Sequence, residues 1–528
     1  MKKHLSAFTV ISYRGRPPKD AKNRAFLLTD GWNDWFEFST MFVLVVFDKE
    51  GVEHRIGEMK IGQRDMKEKQ SSPDLPKEFD RLDERFFSLG QDESYYEELN
   101  KQGDERRDQI LRALRDVARD LDLFESASSE RVMGRSLLRG VTASTVRSQF
   151  HRMTQGGARL SAFRFAYKAP RRVATKSKPI KLEFEVTPES QPPTNIHVII
   201  GRNGVGKTYL LDLMAKAITN ESASKREVGS FAFSQGDDSS DIFSGRNDKS
   251  EKFANIVSVS FSAFDSFLPL PENEGQQGEL RYRYIGLKSA SMGSESSIEL
   301  KTPDLLAGEF VESLHACAIG PKKGRWKRAV ETLEVDPLFK QADISSLMSH
   351  DIESELDDAA TSLFKDLSSG HKIVLLTMTR LVEAVEEQTL VLIDEPEAHL
   401  HPPLLSAFIR SMSNLLFNRN GVAIIATHSP VILQEVPKNC VWKLYRSGTE
   451  ATAYRPELET FGENVGVLTR EVFGFEVTQA GFHRLIQESI SDGASFEEAS
   501  AKFSNKLGAE ARAILRGLIA ERDAGRSE

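Results

Sequence analysis

The sequence predicts an α/β protein: a phosphate-binding loop on a parallel sheet, with a β-rich N-terminal subdomain and helical insertions. Three observations carry this. The run HVIIGRNGVGKT, His197 to Thr208, joins a short apolar strand to a glycine-rich loop, and an amphipathic helix follows. The run TLVLID, Thr389 to Asp394, is a second apolar strand that ends on a carboxylate. Beyond residue 371 the texture alternates: helix, TLVLID, helix, GVAIIATHS.

Composition bounds the rest. The chain has 528 residues, enough for several domains or fewer large ones. It is 39% hydrophobic and 28% charged, so it can bury a core and is not globally disordered. Lys+Arg 70 against Asp+Glu 78 gives −8, which excludes a globally basic, histone-like protein. Two cysteines, Cys317 and Cys440, cannot form a disulfide scaffold and point to a reducing compartment. No run approaches the roughly 18 consecutive apolar residues of a membrane span. The start, MKKHLSAFTVISYRG, lacks a long apolar stretch and a small-residue cleavage site. The expectation is a soluble cytoplasmic protein with no membrane partner.

Four segments are expected along the chain. Residues 1–65 read as β-rich, from FTVISYRG, FEFST, MFVLVVFDKEG and HRIGEMKIG. Residues 66–158 read as helical, with Ile110, Leu114, Val117 and Leu121 at helical spacing. Residues 159–475 form the nucleotide-binding core, with a helical insertion at about 300–365. Residues 476–528 read as a helical tail. Within the core, the Ser-, Gly-, Asp- and Lys-rich stretch at about 219–256 is expected to be a mobile loop or insertion.

GRNGVGKT fits G-x-x-x-x-G-K-[ST] in the required strand-to-helix context, which separates it from a chance glycine-rich turn. Gly201, Gly204 and Gly206 let backbone N–H groups curl round a phosphate, and the helix N-terminus adds partial positive charge. Lys207 is placed to reach the β/γ-phosphates, and Thr208 offers a hydroxyl to Mg²⁺. The candidate nucleotide contacts are Gly201, Asn203, Gly204, Val205, Gly206, Lys207, Thr208 and Tyr209, with ATP and Mg²⁺ as the ligands.

Asp394 ends its strand where open α/β sheets place their ligands, so it is the candidate metal carboxylate beside Thr208. Glu395 follows as candidate general base for the attacking water. Without the phosphate loop, the same strand end reads as a solvated acidic turn. His399 and His401 form H-x-H, but no nearby Cys or second pair completes a metal site, so packing or a nucleotide-edge contact is expected.

LSSGHK, Leu367 to Lys372, precedes a helix whose apolar face is Val374, Leu375, Met378, Leu381, Val382 and Val385. Ser368, Ser369 and Gly370 therefore sit at a helix N-terminus, an anion site or an ordinary cap. The order GRNGVGKT, LSSGHK, LVLIDEP, IIATHS resembles that of ATP-binding-cassette (ABC) ATPase heads, P-loop NTPases. LSSGHK is similar to that family's LSGGQ signature, with Ser369 for a Gly and His371 for the Gln. His428 resembles its switch histidine. The resemblance implies ATP hydrolysis and a head-to-tail ATP sandwich, in which Ser368 of one copy faces the phosphate loop of the other. It also implies a γ-phosphate contact for His428. The family's Gln loop is missing: VSFSAFDSF, residues 258–266, has no Gln, and Ser262 or Asp265 stands in its place.

EPEAHLHP resembles soluble RecF-like and OLD-like ATPases rather than transport ATPases. After His428 there is no D-x-D pair and no H-N-H pattern, so a nuclease site within this chain is not expected. Over roughly residues 160–485 the chain resembles the PtuA ATPase subunits of Septu-type anti-phage systems, including retron-associated ones. The similar runs include IVSVSFSAFDSF, LIDEPEAHLHPPLLSAFIR and TFGENVGVLTREVFG. That resemblance implies self-association and a separate HNH endonuclease, PtuB-like, as partner. In a retron version it implies a reverse transcriptase and its RNA–DNA hybrid. The alternatives are a stand-alone RecF/SMC-like DNA-repair ATPase and a scaffold that binds ATP without turnover.

From Arg131 to Lys181 there is no Asp or Glu. Arg147, Arg152, Arg159, Arg164, Lys168, Arg171, Arg172, Lys176 and Lys178 lie in this stretch, interleaved with Phe150, Phe163, Phe165 and Tyr167. Three readings stand: a DNA or RNA surface, a docking face for an acidic partner, and a solvated face. The alternation FRFAY also fits a half-buried strand with its aromatics in the core. A second cluster, PKKGRWKR at Pro321 to Arg328, reads as a basic surface or an exposed helix start.

Overall fold

The computed structural model describes residues 7–12, 15–18, 20–29, 38–66, 70–156, 160, 162–171, 179–220, 223–234, 253–262, 269–272, 280–289, 299–318, 321–349, 353–448, 450–474, 481–490, 493–504 and 506–524.

The N-terminal unit is built on six strands: β1 (Phe8–Ile11), β2 (Ala25–Thr29), β3 (Met41–Phe47), β4 (Glu53–Gln63), β5 (Glu78–Phe79) and β6 (Phe86–Gly90). Their order in the sheet is β5-β1-β2-β3-β4-β6, antiparallel except for the parallel β1–β2 pair. Period-2 alternation explains why MFVLVVF is a strand buried on both faces. Leu44 and Val46 join the large core beneath the helices, while Val45 and Phe47 pack with Ala21 and Phe26 on the other side. The helices Glu93–Lys101, Asp104–Ala113 and Leu121–Ala127 close the larger face.

The expected division at residue 65 is corrected. β5 and β6 lie beyond it, and one apolar cluster runs from Phe8 through Phe86 and Tyr96 to Met153. Neither the strands nor the helices could bury their apolar faces alone, so residues 8–153 form one unit.

A three-stranded antiparallel sheet follows, β10-β7-β8, from β7 (Phe163–Lys168), β8 (Lys181–Val186) and β10 (Ser230–Ser234). Part of the expected loop at 219–256 is therefore regular: β10 and a helix, Lys225–Val228, occupy it, while residues 221–222 and 235–252 lie outside the described ones. β10 forms because Phe231 and Phe233 complete a ring cluster with Phe165, which stacks on Phe184 at 4.8 Å. Phe165 and Tyr167 are fully buried, so the FRFAY aromatics are core residues and not a stacking platform.

The main sheet has the order β12-β11-β15-β16-β9-β17-β18. Its members are β9 (Ile196–Gly201), β11 (Asn255–Ser260), β12 (Arg281–Gly286), β15 (Thr389–Asp394), β16 (Val422–Thr427), β17 (Val441–Ser447) and β18 (Glu450–Tyr454). All are parallel except β18, which turns back along β17. Val391, Ile393, Ala423 and Ile425 pack on one side, against the helices Ser369–Ala384 and Pro402–Phe417. Leu390, Leu392, Val422 and Ile424 pack on the other, with the helix Lys207–Thr219 and the three-stranded sheet. Burial on both faces is why these strands read as continuous apolar runs.

The insertion is helical as expected: Pro303–Cys317, Pro321–Leu333, Pro337–Ala342 and Glu353–Asp366. The basic run at its centre is a packing element. Trp326 is fully buried and its indole N–H donates to Thr379 Oγ1 at 2.9 Å. Lys322 donates to the Glu383 carbonyl, and burial pulls the Arg325 guanidinium down to about 10. Residues 481–524 end the chain with three described helices around their own small core. No described helix is long and apolar enough to cross a membrane.

Candidate nucleotide-binding site

β9 delivers the phosphate loop. Gly204 and Gly206 hold φ of +78° and +101°, in the region that disfavours a side chain, and a Cβ on either would meet nothing within 4 Å. They are required for backbone shape, and the space above them is open to a ligand. Gly201 is required for a different reason: a Cβ there would lie 2.6 Å from the Leu444 carbonyl oxygen of β17. The helix Lys207–Thr219 starts directly from Gly206, so its first N–H groups face the loop. Lys207 is 4% exposed and Nζ donates to the Gly201 and Arg202 carbonyls at 3.1 and 3.2 Å. Burial lowers its ammonium below the usual lysine range, opposed by Glu395, Asp394 and Glu397. Asn203 and Tyr209 are exposed and Val205 is half-buried.

The two central strands bring the catalytic candidates to the same edge. β15 and β16 are paired in register, Asp394 opposite Ala426, so His428 emerges beside the acidic turn. Asp394 is 6% exposed and lines a cavity together with Thr208. Glu395 Oε1 lies 3.9 Å from Lys207 Nζ and 3.5 Å from His428 Nδ1. Glu395 has φ +46°, a strained setting for a non-glycine residue, held by its N–H donating to the Ala426 carbonyl at 2.9 Å. The phosphate loop, Thr208, Asp394, Glu395 and His428 are thus brought together. A buried carboxylate beside a threonine hydroxyl suits a divalent ion, and open N–H-lined backbone suits phosphates. These residues fit Mg²⁺ and ATP.

Sequence reasoning missed three members. Glu397 Oε1 accepts from Thr427 Oγ1 at 2.5 Å and from the His428 N–H at 2.8 Å, and lies 3.2 Å from His428 Nδ1. The signal was present as the second glutamate of DEPE. Lys288, 2% exposed, lines the Thr208–Asp394 cavity from beyond β12. Nothing in the sequence marked it. Arg446 of β17 donates to the Gly204 carbonyl at 3.4 Å. Of the two Gln-loop candidates, Ser262 follows β11 and Asp265 lies outside the described residues.

Ser368 and Ser369 are exposed, and Gly370 is buried at the start of the helix Ser369–Ala384. Their surroundings differ from the cluster above. A Cβ on Gly370 would lie 2.5 Å from the His399 carbonyl oxygen, so the signature helix is pressed onto the turn Pro396–His399 that follows Glu395. Ser368 Oγ is 2.6 Å from His371 Nδ1, and His371 Nε2 is 3.0 Å from Asp336 Oδ1. His401 Nε2 is 3.5 Å from Asp336 Oδ2. His399 and His401 are both exposed, and no group of three or more metal-binding side chains occurs among the described residues.

Three arginines of the basic stretch meet acids from elsewhere in the chain. Arg147 pairs with Glu125 at 3.0 Å and lies over the Phe124 ring. Arg152 pairs at 3.0 Å with the buried Glu387, which precedes β15. Arg164 lies 3.8 Å from Glu185 of the adjacent strand. Lys168 is half-buried at the end of β7 and Arg171 is exposed. Arg159, Arg172, Lys176 and Lys178 lie outside the described residues. Arg147, Arg152 and Arg164 thus each stand beside a carboxylate of the same chain, with their side chains part-exposed.

Strand order, loop placement and the clustered carboxylates define an ABC-like P-loop ATPase. A family model described as "AAA domain, putative AbiEii toxin, Type IV TA system" matches residues 322–434, which span the later part of the insertion, the signature helix and β15–β16. The chain belongs to the family of Protein ea59 of Escherichia phage lambda, to which it is 44% identical over 537 aligned residues, covering 98% of this chain and 99% of that one. Among solved structures, it matches the ADP conformation of an ATP-binding cassette of an ABC transporter at 12% identity and a TM-score of 0.29, over 60% of this chain and 97% of that one. It also matches a nucleotide-free cassette at 13% identity and a TM-score of 0.25, over 52% and 85%. Those low values leave the fold resting on the strand order itself.

Proposed function

We propose that this chain couples ATP hydrolysis to a closing and opening of two copies, and that the cycle governs a separate nuclease in a phage-defence complex. The observation that carries the ATPase reading is the convergence of Lys207, Asp394, Glu395 and His428 on one end of the sheet. Lys207 and the loop N–H groups would hold the β/γ-phosphates, and Thr208 and Asp394 would hold Mg²⁺, which supplies charge neutralisation when bound. Glu395 is placed to take the proton of the attacking water, and His428 to meet the γ-phosphate. Ser368 is an exposed residue at a helix N-terminus, as contact with a nucleotide on a second copy requires.

The nuclease assignment is supported by the resemblance of the motif run to Septu-type PtuA subunits. It implies an HNH endonuclease partner, with a reverse transcriptase and RNA–DNA hybrid in a retron setting. The test is affinity purification of the tagged chain expressed from its native gene neighbourhood, with mass spectrometry of what is retained. A small HNH protein retained in stoichiometric amount supports the reading. A chain that purifies alone and hydrolyses ATP faster with DNA overturns it in favour of a stand-alone repair ATPase.

A further inference from the structure

The signature serine is the exposed end of a three-member chain of hydrogen bonds. Ser368 Oγ lies 2.6 Å from His371 Nδ1, and His371 Nε2 lies 3.0 Å from Asp336 Oδ1. The two inner members are 6% and 7% exposed. Asp336 belongs to the insertion, where Oδ1 also accepts the Leu338 and Phe339 N–H groups as cap of the helix Pro337–Ala342. The Phe339 ring meets the imidazole edge to face at 4.8 Å. Among the described residues, the titratable side chains facing His371 are Asp336, at 3.0 Å, and His401, whose ring centroid is 6.3 Å away. Lys372 is its neighbour on its own helix.

Asp336 Oδ1 is an acceptor, so His371 Nε2 carries a proton and donates to it. The state of Nδ1 then sets the direction of the serine hydroxyl. With a neutral ring, Nδ1 accepts and the Ser368 O–H is turned inward, leaving lone pairs outward. With a charged ring, Nδ1–H donates to Ser368 Oγ, and the serine O–H is free to donate outward to an anion. The second arrangement alone suits a phosphate.

We propose that Asp336 and His371 are positioning residues that aim the Ser368 hydroxyl at the γ-phosphate bound by a second copy, so that ATP-driven association takes up one proton at the His371 of each copy. This rests on the reading of Ser368 as a γ-phosphate contact in trans. Glutamine, the residue found in the signature that LSSGHK resembles, supplies a permanent N–H donor at this place and removes the proton requirement.

The test is light scattering of the full chain carrying Glu395→Gln, with Mg·ATP, between pH 6 and 8.5. In that parent, association strengthens as pH falls, by up to about a hundredfold per pH unit for a dimer that takes up one proton on each copy. His371→Gln makes the profile flat and keeps strong association at high pH. Asp336→Asn keeps the helix cap, because an amide oxygen also accepts N–H groups, but displaces the profile to lower pH by removing the charge that favours imidazolium. His401→Gln leaves the slope in place. A His371→Gln chain with the parent's slope overturns the relay, as does an Asp336→Asn profile that does not move. Ser368→Ala reports on the underlying reading: association as strong as the parent's at every pH shows that Ser368 makes no phosphate contact. A parent that fails to associate at any pH overturns both.

Discussion

Glu397 Oε1 accepts the backbone N–H of His428 at 2.8 Å, and the same atom lies 3.2 Å from the imidazole Nδ1. One carboxylate thus fixes the main chain of the candidate switch histidine and stands beside its ring. It also takes the Thr427 hydroxyl, which ends β16. Glu397 is a positioning residue, since its contacts run to Thr427 and His428. Glu397→Gln can still accept from the His428 N–H, but loses the charge beside the ring. Charge-assisted bonds contribute about 1.5–3 kcal/mol, so kcat for ATP should fall roughly ten- to hundredfold with KM little changed. Steady-state ATPase assays read both constants. An unchanged kcat would show that His428 is held without Glu397.

Glu395 is the second carboxylate of the turn, 3.9 Å from Lys207 Nζ and 3.5 Å from His428 Nδ1. As general base it acts only in the hydrolytic step, so Glu395→Gln should lower kcat by about 10²–10⁴ and retain ATP. Lys207→Ala should instead lose nucleotide affinity, because its ammonium is the buried charge at the loop. Nucleotide binding by fluorescence titration separates the two. Loss of ATP binding in Glu395→Gln would remove it from the role of base.

Much of this site was legible in the sequence, because its parts are local. GRNGVGKT needs positive φ at Gly204 and Gly206, and a strand before it, and all of that is written in eight residues and their flanks. Asp394 and Glu395 were legible because a strand buried on both faces announces its own end, and His428 through the resemblance to ABC ATPase heads. The partners of the arginines were not legible because charge pairing is not local. Arg152 meets Glu387 across 235 positions, and Arg147 meets Glu125 on a different helix, so a run without acids says nothing about the acids that fold onto it. Lys288 and Asp336 were invisible for the same reason: each enters its site from an insertion with no motif. β5, β6 and β10 were missed because short strands are fixed by their partners more than by their own pattern.

The N-terminal unit holds the core through buried charges. Glu93 and Arg419 are each 4% exposed at the side chain and 3.1 Å apart, Arg419 standing just before β16. Removing one partner of such a pair strands the other and costs about 3–5 kcal/mol. Arg419→Ala should therefore separate the unfolding of residues 8–153 from that of the core, seen as two transitions in calorimetry where the parent has one. Glu93→Gln, which keeps a polar oxygen beside the guanidinium, should cost less. A single transition at the parent temperature in Arg419→Ala would show that the interface is held by its apolar contacts alone.

Asp116 supplies a pH dependence of stability within the N-terminal unit. It is fully buried, and burial raises its carboxyl to about 7, although the Ala118 and Arg119 N–H groups and the Tyr96 hydroxyl all donate to it. The sign follows from linkage: a carboxyl raised in the folded state stabilises in its protonated form. That contribution is complete below about pH 4, where the unfolded group is also protonated, and is lost as pH rises through 7. Asp116→Asn keeps an oxygen for the two amide donors and carries no charge to desolvate. Its urea midpoint should exceed the parent's at pH 8, and the gap should close toward pH 5. A variant destabilised equally at both pH values would show that the carboxylate form is the one the fold requires.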